Sequence, residues 1–530
     1  MEFGTQSELI LLALLAAVTA LVALAPALRV PYPILLVLGG LALGLIPGVP
    51  ELTLPPQLVL VGILPPLLYS GGFFTGLREL RTNVRPIGLL AIGLVAVTMV
   101  GVAAVAHTAI AGLSWPAAFV LGAVVAPTDP LAATAIARRL GVPRRIVSIV
   151  EGESLVNDAS ALALYRVAVV AAVSGSFSFW DASLRFVGSV AGGIAVGLAV
   201  GWIVAFVRIR LDNIPAEVAI SLLTGYLAFI PAQALHVSGV LAAVTVGVYL
   251  GWRSPELSTP AMRMQGFAVW ETLVFLVNAL LFALVGMQLR PILDALSGRS
   301  TAGLLADAVV VTATVIVLRL AWVFFLSYAP RAASPRLRNW EPSKPWQHIA
   351  LIGWTGMRGA VSLAAALALP LETDAGAPFP ARALIIFLAF TVILGTLVGQ
   401  GLTLPGLIRS LRLEEDRGEA KEDTKARVYA AEAALARLEE LVDEEWVRED
   451  TAERLRGLYG FRRSRFLARF DGDDDGSIEQ RSANYQRLRR ELLEAERAAI
   501  VQLRRDGRIS DDVMRRIERD LDLEDSRLDV

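Results

Sequence analysis

No cysteine occurs among the 530 residues. That excludes a disulfide framework, thiolate metal ligands and a cysteine nucleophile. Histidine is nearly as scarce. His107, His236 and His348 are scattered, so no pair has the i, i+4 spacing of a metal-binding helix. Of the 49 basic residues only Lys344, Lys421 and Lys425 are lysine. No Gly-Lys-Ser/Thr phosphate loop can be built from them, which excludes ATP-driven pumping by that route. Charged residues make up 19% of the chain, against roughly a quarter in a soluble domain. The net charge of -1 gives no bulk attraction to nucleic acid.

What the chain has is apolar sequence. Hydrophobic residues make up 55% of it, and the mean hydropathy is +0.58. Up to residue 410 it falls into apolar runs of about 16 to 27 residues, most long enough to cross roughly 30 Å of hydrocarbon. The spacing predicts thirteen spans: 9–28, 31–48, 56–75, 86–110, 115–137, 146–172, 186–207, 215–233, 237–252, 266–289, 303–329, 346–370 and 382–407. The first lacks a basic n-region and reads as a retained span, not a cleaved signal. Residues 1–8 form an N-terminal segment whose opening MEFGT resembles an expression scar.

Charge in the short loops supports this count. The odd-numbered loops hold Arg29; Arg78, Arg81 and Arg85; Arg138, Arg139, Arg144 and Arg145; Arg208 and Arg210; Arg253 and Arg263; and Arg331, Arg336, Arg338 and Lys344. The even-numbered loops hold only Arg185, Arg290, Arg299 and Arg382. The asymmetry predicts an external N-terminus and a cytoplasmic C-terminal segment. Residues 411–530 carry apolar residues at helical spacing and read as a helical regulatory or assembly domain. Its DGDDDGS stretch resembles half of a calcium loop at Asp471, Asp473, Asp475, Gly476 and Ile478. Ser482 stands where a bidentate Glu is needed, so a solvated hinge is the better reading.

Ionisable residues inside a span are functional candidates, because their desolvation costs several kcal/mol. The fifth span contains Pro127-Thr128-Asp129-Pro130. Two prolines three apart cannot both fit an unbroken helix. A broken helix bearing Thr and Asp is how transporters build cation sites, and Asp129 could also cap the second half-helix. The sixth span reads Glu151-Gly152-Glu153-Ser154-Leu155-Val156-Asn157-Asp158. Ser154 and Asp158 share a face, and so do Glu153 and Asn157. Oxygens of Thr128, Asp129, Ser154 and Asp158 could ligate a hard monovalent cation; a purely structural polar cluster is the bland alternative.

Arg319, deep in the eleventh span, needs a carboxylate, and Glu153 is the natural partner; snorkelling to an interface is the alternative. The twelfth span carries Gly353, Gly356, Arg358 and Gly359. They predict a second broken helix seven spans after the first, as in inverted repeats, or else close helix packing. Arg358 would lie near the freed carbonyls or offset the acids. Arg166, Glu217 and Glu271 read as isolated. Low-dielectric surroundings favour a protonated carboxyl, whereas a bound cation favours the ionised form. Asp158 could therefore hold either guest but not both, and exchange follows if the site changes sides only when loaded.

EGESLVNDASAL, PTDPLAATA, GMRGAVSLA and VGQGLTLPGLI resemble segments of the NhaP-type monovalent cation–proton antiporters, relatives of animal sodium/proton exchangers. The resemblance implies an all-α polytopic fold over residues 9–410, with two inverted six-helix repeats and crossed, interrupted helices. It also implies a homodimer in the inner cell membrane, no cofactor, and electroneutral exchange of one Na⁺, or K⁺ or Li⁺, for one H⁺ in pH homeostasis. Carried over by motif, Asp158 is the carboxylate shared by cation and proton, and Asn157 stands in place of the second aspartate of electrogenic relatives. Thr128, Asp129 and Ser154 are cation-site residues, and Glu153 pairs with Arg319. Pro127, Pro130, Gly356, Arg358 and Gly359 support the breaks. Many relatives have an acid where this chain has Ser70, which widens the cation choice toward potassium. A cation channel, or a receptor or scaffold with a vestigial site, are the competing readings. Neither they nor the antiporter is an enzyme.

Overall fold

The computed structural model describes residues 5–28, 30–46, 55–175, 179–211, 213–296, 298–333, 345–413, 417–471 and 477–526. Met1–Gly4, the loop residues Arg29, Arg336, Arg338 and Lys344, and the calcium-like positions Asp473, Asp475 and Gly476 lie outside them. The chain divides into two compact units, Met1–Glu415 and Asp416–Val530.

Among its described residues the regular structure of the first unit is all helix, apart from one isolated bridge between Glu372 and Pro378. It opens with α1 (Thr5–Leu28) and α2 (Tyr32–Leu45), followed by α3 (Leu58–Phe74) and α4 (Val84–Ala109). Next come α5 (Trp115–Val125), α6 (Leu131–Arg139), α7 (Arg144–Ser174) and α8 (Phe179–Arg208). Then follow α9 (Ile214–Ala234), α10 (Gly239–Leu257), α11 (Pro260–Met287) and α12 (Thr301–Ala333). The unit closes with α13 (Trp346–Trp354) and α14 (Ala360–Leu367), then α15 (Arg382–Leu411). Each apolar run has its described residues mainly on helix, and the fifth and twelfth lie on the half-helix pairs α5/α6 and α13/α14. Among the described residues, seven helices are each long and apolar enough to cross a membrane. The N-terminal segment is itself partly helical, since α1 begins at Thr5. The run at 31–48 makes a helix of only 14 residues, about 21 Å long against roughly 30 Å of hydrocarbon.

Local chemistry sets several helix ends. Asn213, Ser238 and Thr259 accept hydrogen bonds from the backbone N–H three residues on, at 3.0, 3.2 and 3.3 Å. Each satisfies a donor that the first helical turn leaves free. α7 stops at Gly175, whose φ of 70° suits glycine.

Two groups of helices emerge. α4, α5 and α7 pack with one another and with α12–α15; α2 packs on α11, and α3, α8 and α9 pack on α10. Small residues allow the closest approaches: a Cβ at Gly40 or Gly286 would strike the facing backbone of α11 or α2. Three helices contain a π-helical turn, at Leu58–Ile63, Leu89–Leu94 and Gly395–Gln400.

The second unit consists of α16 (Arg417–Leu441), α17 (Glu449–Asp471), α18 (Ser477–Arg505) and α19 (Asp511–Ser526). Arg456 binds Glu439 at 2.7 Å and joins α17 to α16; this contact holds Glu439 below the usual carboxylate range. Arg497 joins α18 to Asp522 and Asp525 of α19, at 2.8 and 3.0 Å.

Candidate functional site

The helix is interrupted between α5 and α6 and again between α13 and α14, and the two breaks touch. The Asp129 N–H donates to the Met357 carbonyl at 2.8 Å. Pro127 and Pro130 lack the N–H groups that would continue the helix. Asp129 Oδ1 accepts from Leu131 N at 2.9 Å, capping α6. Arg358, fully buried, sends Nε to the Val125 carbonyl at 3.1 Å and Nη1 to the Gly356 carbonyl. It therefore stands at the freed carbonyls, where a cation also suits the C-terminal dipole of α5. Its own N–H is taken by Thr396 Oγ1 at 3.1 Å.

Glycines at the second break make room for charge. A Cβ at Gly356 would collide with the Arg319 side chain, and one at Gly359 with the Asp129 carboxylate. Gly353 faces Leu320. The close packing is thus mainly against side chains of neighbouring elements.

Arg319 is 0% exposed and Glu153 1%, so the arginine does not snorkel. Its Nη2 reaches Glu153 Oε2 at 2.9 Å, its Nη1 reaches Oε1, and Nη2 also donates to the Ile352 carbonyl at 3.0 Å. Thr128 Oγ1 donates to Glu153 Oε1 at 3.2 Å and accepts from Asn157 Nδ2 at 2.6 Å. Ser154 Oγ donates to the Thr128 carbonyl at 2.8 Å. One helix, α7, thereby ties the first break to α12 and, through Ile352, to α13.

Asp158 is treated differently. It is 8% exposed, yet among the described residues nothing hydrogen-bonds its carboxylate. Asn157 Oδ1 is buried and equally without a donor.

Three other positions have partners of their own. Glu151 does not join the site; it pairs with Arg138 of α6 at 2.6 Å. The Ser70 hydroxyl turns back onto its own helix, donating to the Leu67 carbonyl at 2.9 Å. Glu217 is not isolated: Arg208, counted above among the loop charges, is buried against it at 3.6 Å and donates to Ser258 Oγ at 2.8 Å. Thr396 escaped the sequence reading because nothing in VILGTLVGQ sets it apart; only the π turn aims it.

The model of the sodium/hydrogen exchanger transmembrane family matches residues 10–410. A chain of Mycobacterium tuberculosis named as an uncharacterized Na⁺/H⁺ exchanger is 38% identical over 98% of this chain and 96% of its own length. A sodium, potassium, lithium and rubidium/H⁺ antiporter of Bacillus pumilus is 30% identical, over 75% of this chain and 60% of its own. The solved sodium proton antiporter MjNhaP1 of Methanocaldococcus jannaschii superposes with a TM-score of 0.59 at 19% identity, covering 77% of this chain and 98% of that one.

Proposed function

The chain belongs to the sodium/hydrogen exchanger family, and from that membership we propose that Asp158 is the seat of exchange. The protein is a multi-pass membrane antiporter that trades a monovalent cation for a proton. The observation that carries the assignment to Asp158 is its lack of partners: every other carboxylate at the crossing is engaged. Glu153 is held by Arg319 and Thr128, and Asp129 caps α6. A buried carboxylate with open lone pairs binds a proton or a cation, each excluding the other.

Asn157 Oδ1 is the second ligand, since it too lacks a donor. Ser154 and Thr128 spend their hydroxyl protons on other acceptors and keep lone pairs for the ion. Asp129 belongs to the rim, because one of its oxygens is committed to the cap. Glu153 and Arg319 hold the site together, as do Pro127, Pro130, Gly356, Arg358 and Gly359.

Exchange is one cation for one proton. Ser70 supplies no charge, so selection rests on few ligands. Na⁺ is carried, and K⁺ and Li⁺ are accepted; the name of the Bacillus relative points the same way. The arginine asymmetry of the loops supports thirteen crossings in the inner membrane, with the N-terminus outside and residues 411–530 in the cytoplasm. We assign the protein to pH and cation homeostasis, as a homodimer.

The test uses proteoliposomes with an entrapped pH indicator and the membrane potential held at zero. Imposed Na⁺, Li⁺ or K⁺ gradients should each drive protons the opposite way, and Asp158→Ala should stop the flux. Wild-type rates in Asp158→Ala would overturn the assignment, and cation flux without counter-moving protons would point to a channel.

A further inference from the structure

A cavity of about 80 Å³ lies between the two helix groups, against the C-terminal half of α7. One wall is Ala159, Leu162 and Arg166 of α7; the opposite wall includes Leu64 of α3, Gln233 of α9 and Ser238 of α10. The wall is mostly apolar, with Arg166, Ser189, Gln233 and Ser238 among its few polar groups. Arg166 is the single charged side chain among its lining residues. It is exposed, and among the described residues no group hydrogen-bonds it. Asp158 is not itself in the wall, but it lies at i–4 from the lining residue Leu162 and i–8 from Arg166, on the same side of α7. The helix therefore carries an unpaired carboxylate and an unpaired guanidinium about 12 Å apart along its axis.

We propose that Arg166 sets the cation affinity of Asp158, weakening cation binding there by the electrostatic repulsion of its unpaired guanidinium. The proposal rests on Asp158 being the ion-holding carboxylate. Both charges ride on one rigid helix, so their separation is kept whichever side the site faces. The repulsion of a bound cation by Arg166 follows from Coulomb's law. At about 12 Å, with an effective dielectric constant between about 20 and 80, it weakens binding by a factor of roughly two to ten. A structural arginine would instead be held by acceptors, as Arg319 and Arg358 are.

The experiment measures Na⁺-dependent proton flux in proteoliposomes of the full chain and separates KM from kcat. At alkaline pH, where protons do not compete for Asp158, Arg166→Gln should lower KM for Na⁺ about two- to tenfold with kcat retained, Arg166→Glu should lower it further, and Arg166→Lys should match the parent. An unchanged KM in both Gln and Glu variants would overturn the proposal, as would a loss of kcat that Arg166→Lys fails to restore. If Arg166→Gln or Arg166→Glu does not fold, the Arg166→Lys protein is titrated with Na⁺ at pH values on both sides of its own lysine titration. A KM that tracks the parent's across the same pH range overturns the proposal, and a fall beyond the parent's as the lysine discharges supports it. Asp158→Asn is run alongside. If it still exchanges, the assignment of the site itself fails; if it is inactive while Arg166 variants keep the parent KM, only the role of Arg166 fails.

Discussion

Glu153 and Asp158 stand five residues apart on α7, yet they meet opposite fates. Glu153 receives two N–H groups of Arg319 and the hydroxyl of Thr128, whereas Asp158 receives none. Breaking a buried pair leaves an uncompensated charge and costs about 3–5 kcal/mol. Glu153→Gln should therefore lower the melting temperature of the detergent-solubilised protein sharply, and Arg319→Met added to it should restore much of the loss. Equal melting of the parent and Glu153→Gln would mean that the pair contributes nothing. Gly359→Ala makes a different demand. Its methyl would meet the Asp129 carboxylate, and a displacement of this kind costs on the order of 100-fold in rate. We expect near-normal membrane insertion with exchange reduced to that degree; a parental rate would show that the Asp129 cap tolerates the shift.

The breaks are the elements that sequence makes most readable. Pro127 and Pro130 forbid a continuous helix, and Gly356 and Gly359 mark the second interruption. The Glu153–Arg319 pairing is legible too, because a deep arginine needs an acid. The π turns are not legible, since no residue type demands them. Each leaves a backbone carbonyl or a side chain in an unusual place, and a neighbouring helix answers it. Tyr226 donates to Gly62 O, Ser160 to Ala91 O, and Thr396 accepts from Arg358 N. Such turns are frequent at functional sites. Thr396→Val would orphan a buried N–H at a cost of about 1–3 kcal/mol. Thermal melting should register that loss. An unchanged melt would mean that water takes the place of the hydroxyl.

At the scale of the whole molecule, all five buried apolar clusters lie within residues 1–413. The second unit buries few apolar side chains, among them Ala431, Ala452, Leu493 and Leu521, and exposes Tyr429, Trp446 and Leu488. The membrane unit therefore has what it needs to fold alone. A chain ending at Glu415 should insert and still exchange cations for protons in proteoliposomes; failure to accumulate in the membrane would show that the tail is required for assembly. The boundary near residue 410 is legible as a change from apolar runs to dense Arg, Glu and Asp. The arrangement of α16–α19 is not, because exposed ion pairs such as Arg456–Glu439 leave weak patterns in sequence.

The crossing also has an electrical consequence. Arg319 and Arg358 sit among Glu153, Asp129 and Asp158. With each group in its ordinary ionisation state, two positive charges face three negative ones. If Asp158 seats the exchanged ion as proposed, the vacant crossing holds one uncompensated negative charge, and a single sodium ion or proton aboard makes it neutral. Dragging a net charge through oily surroundings is far more costly than moving a neutral body. The vacant form is thereby pinned where it stands, and leakage is suppressed without any door.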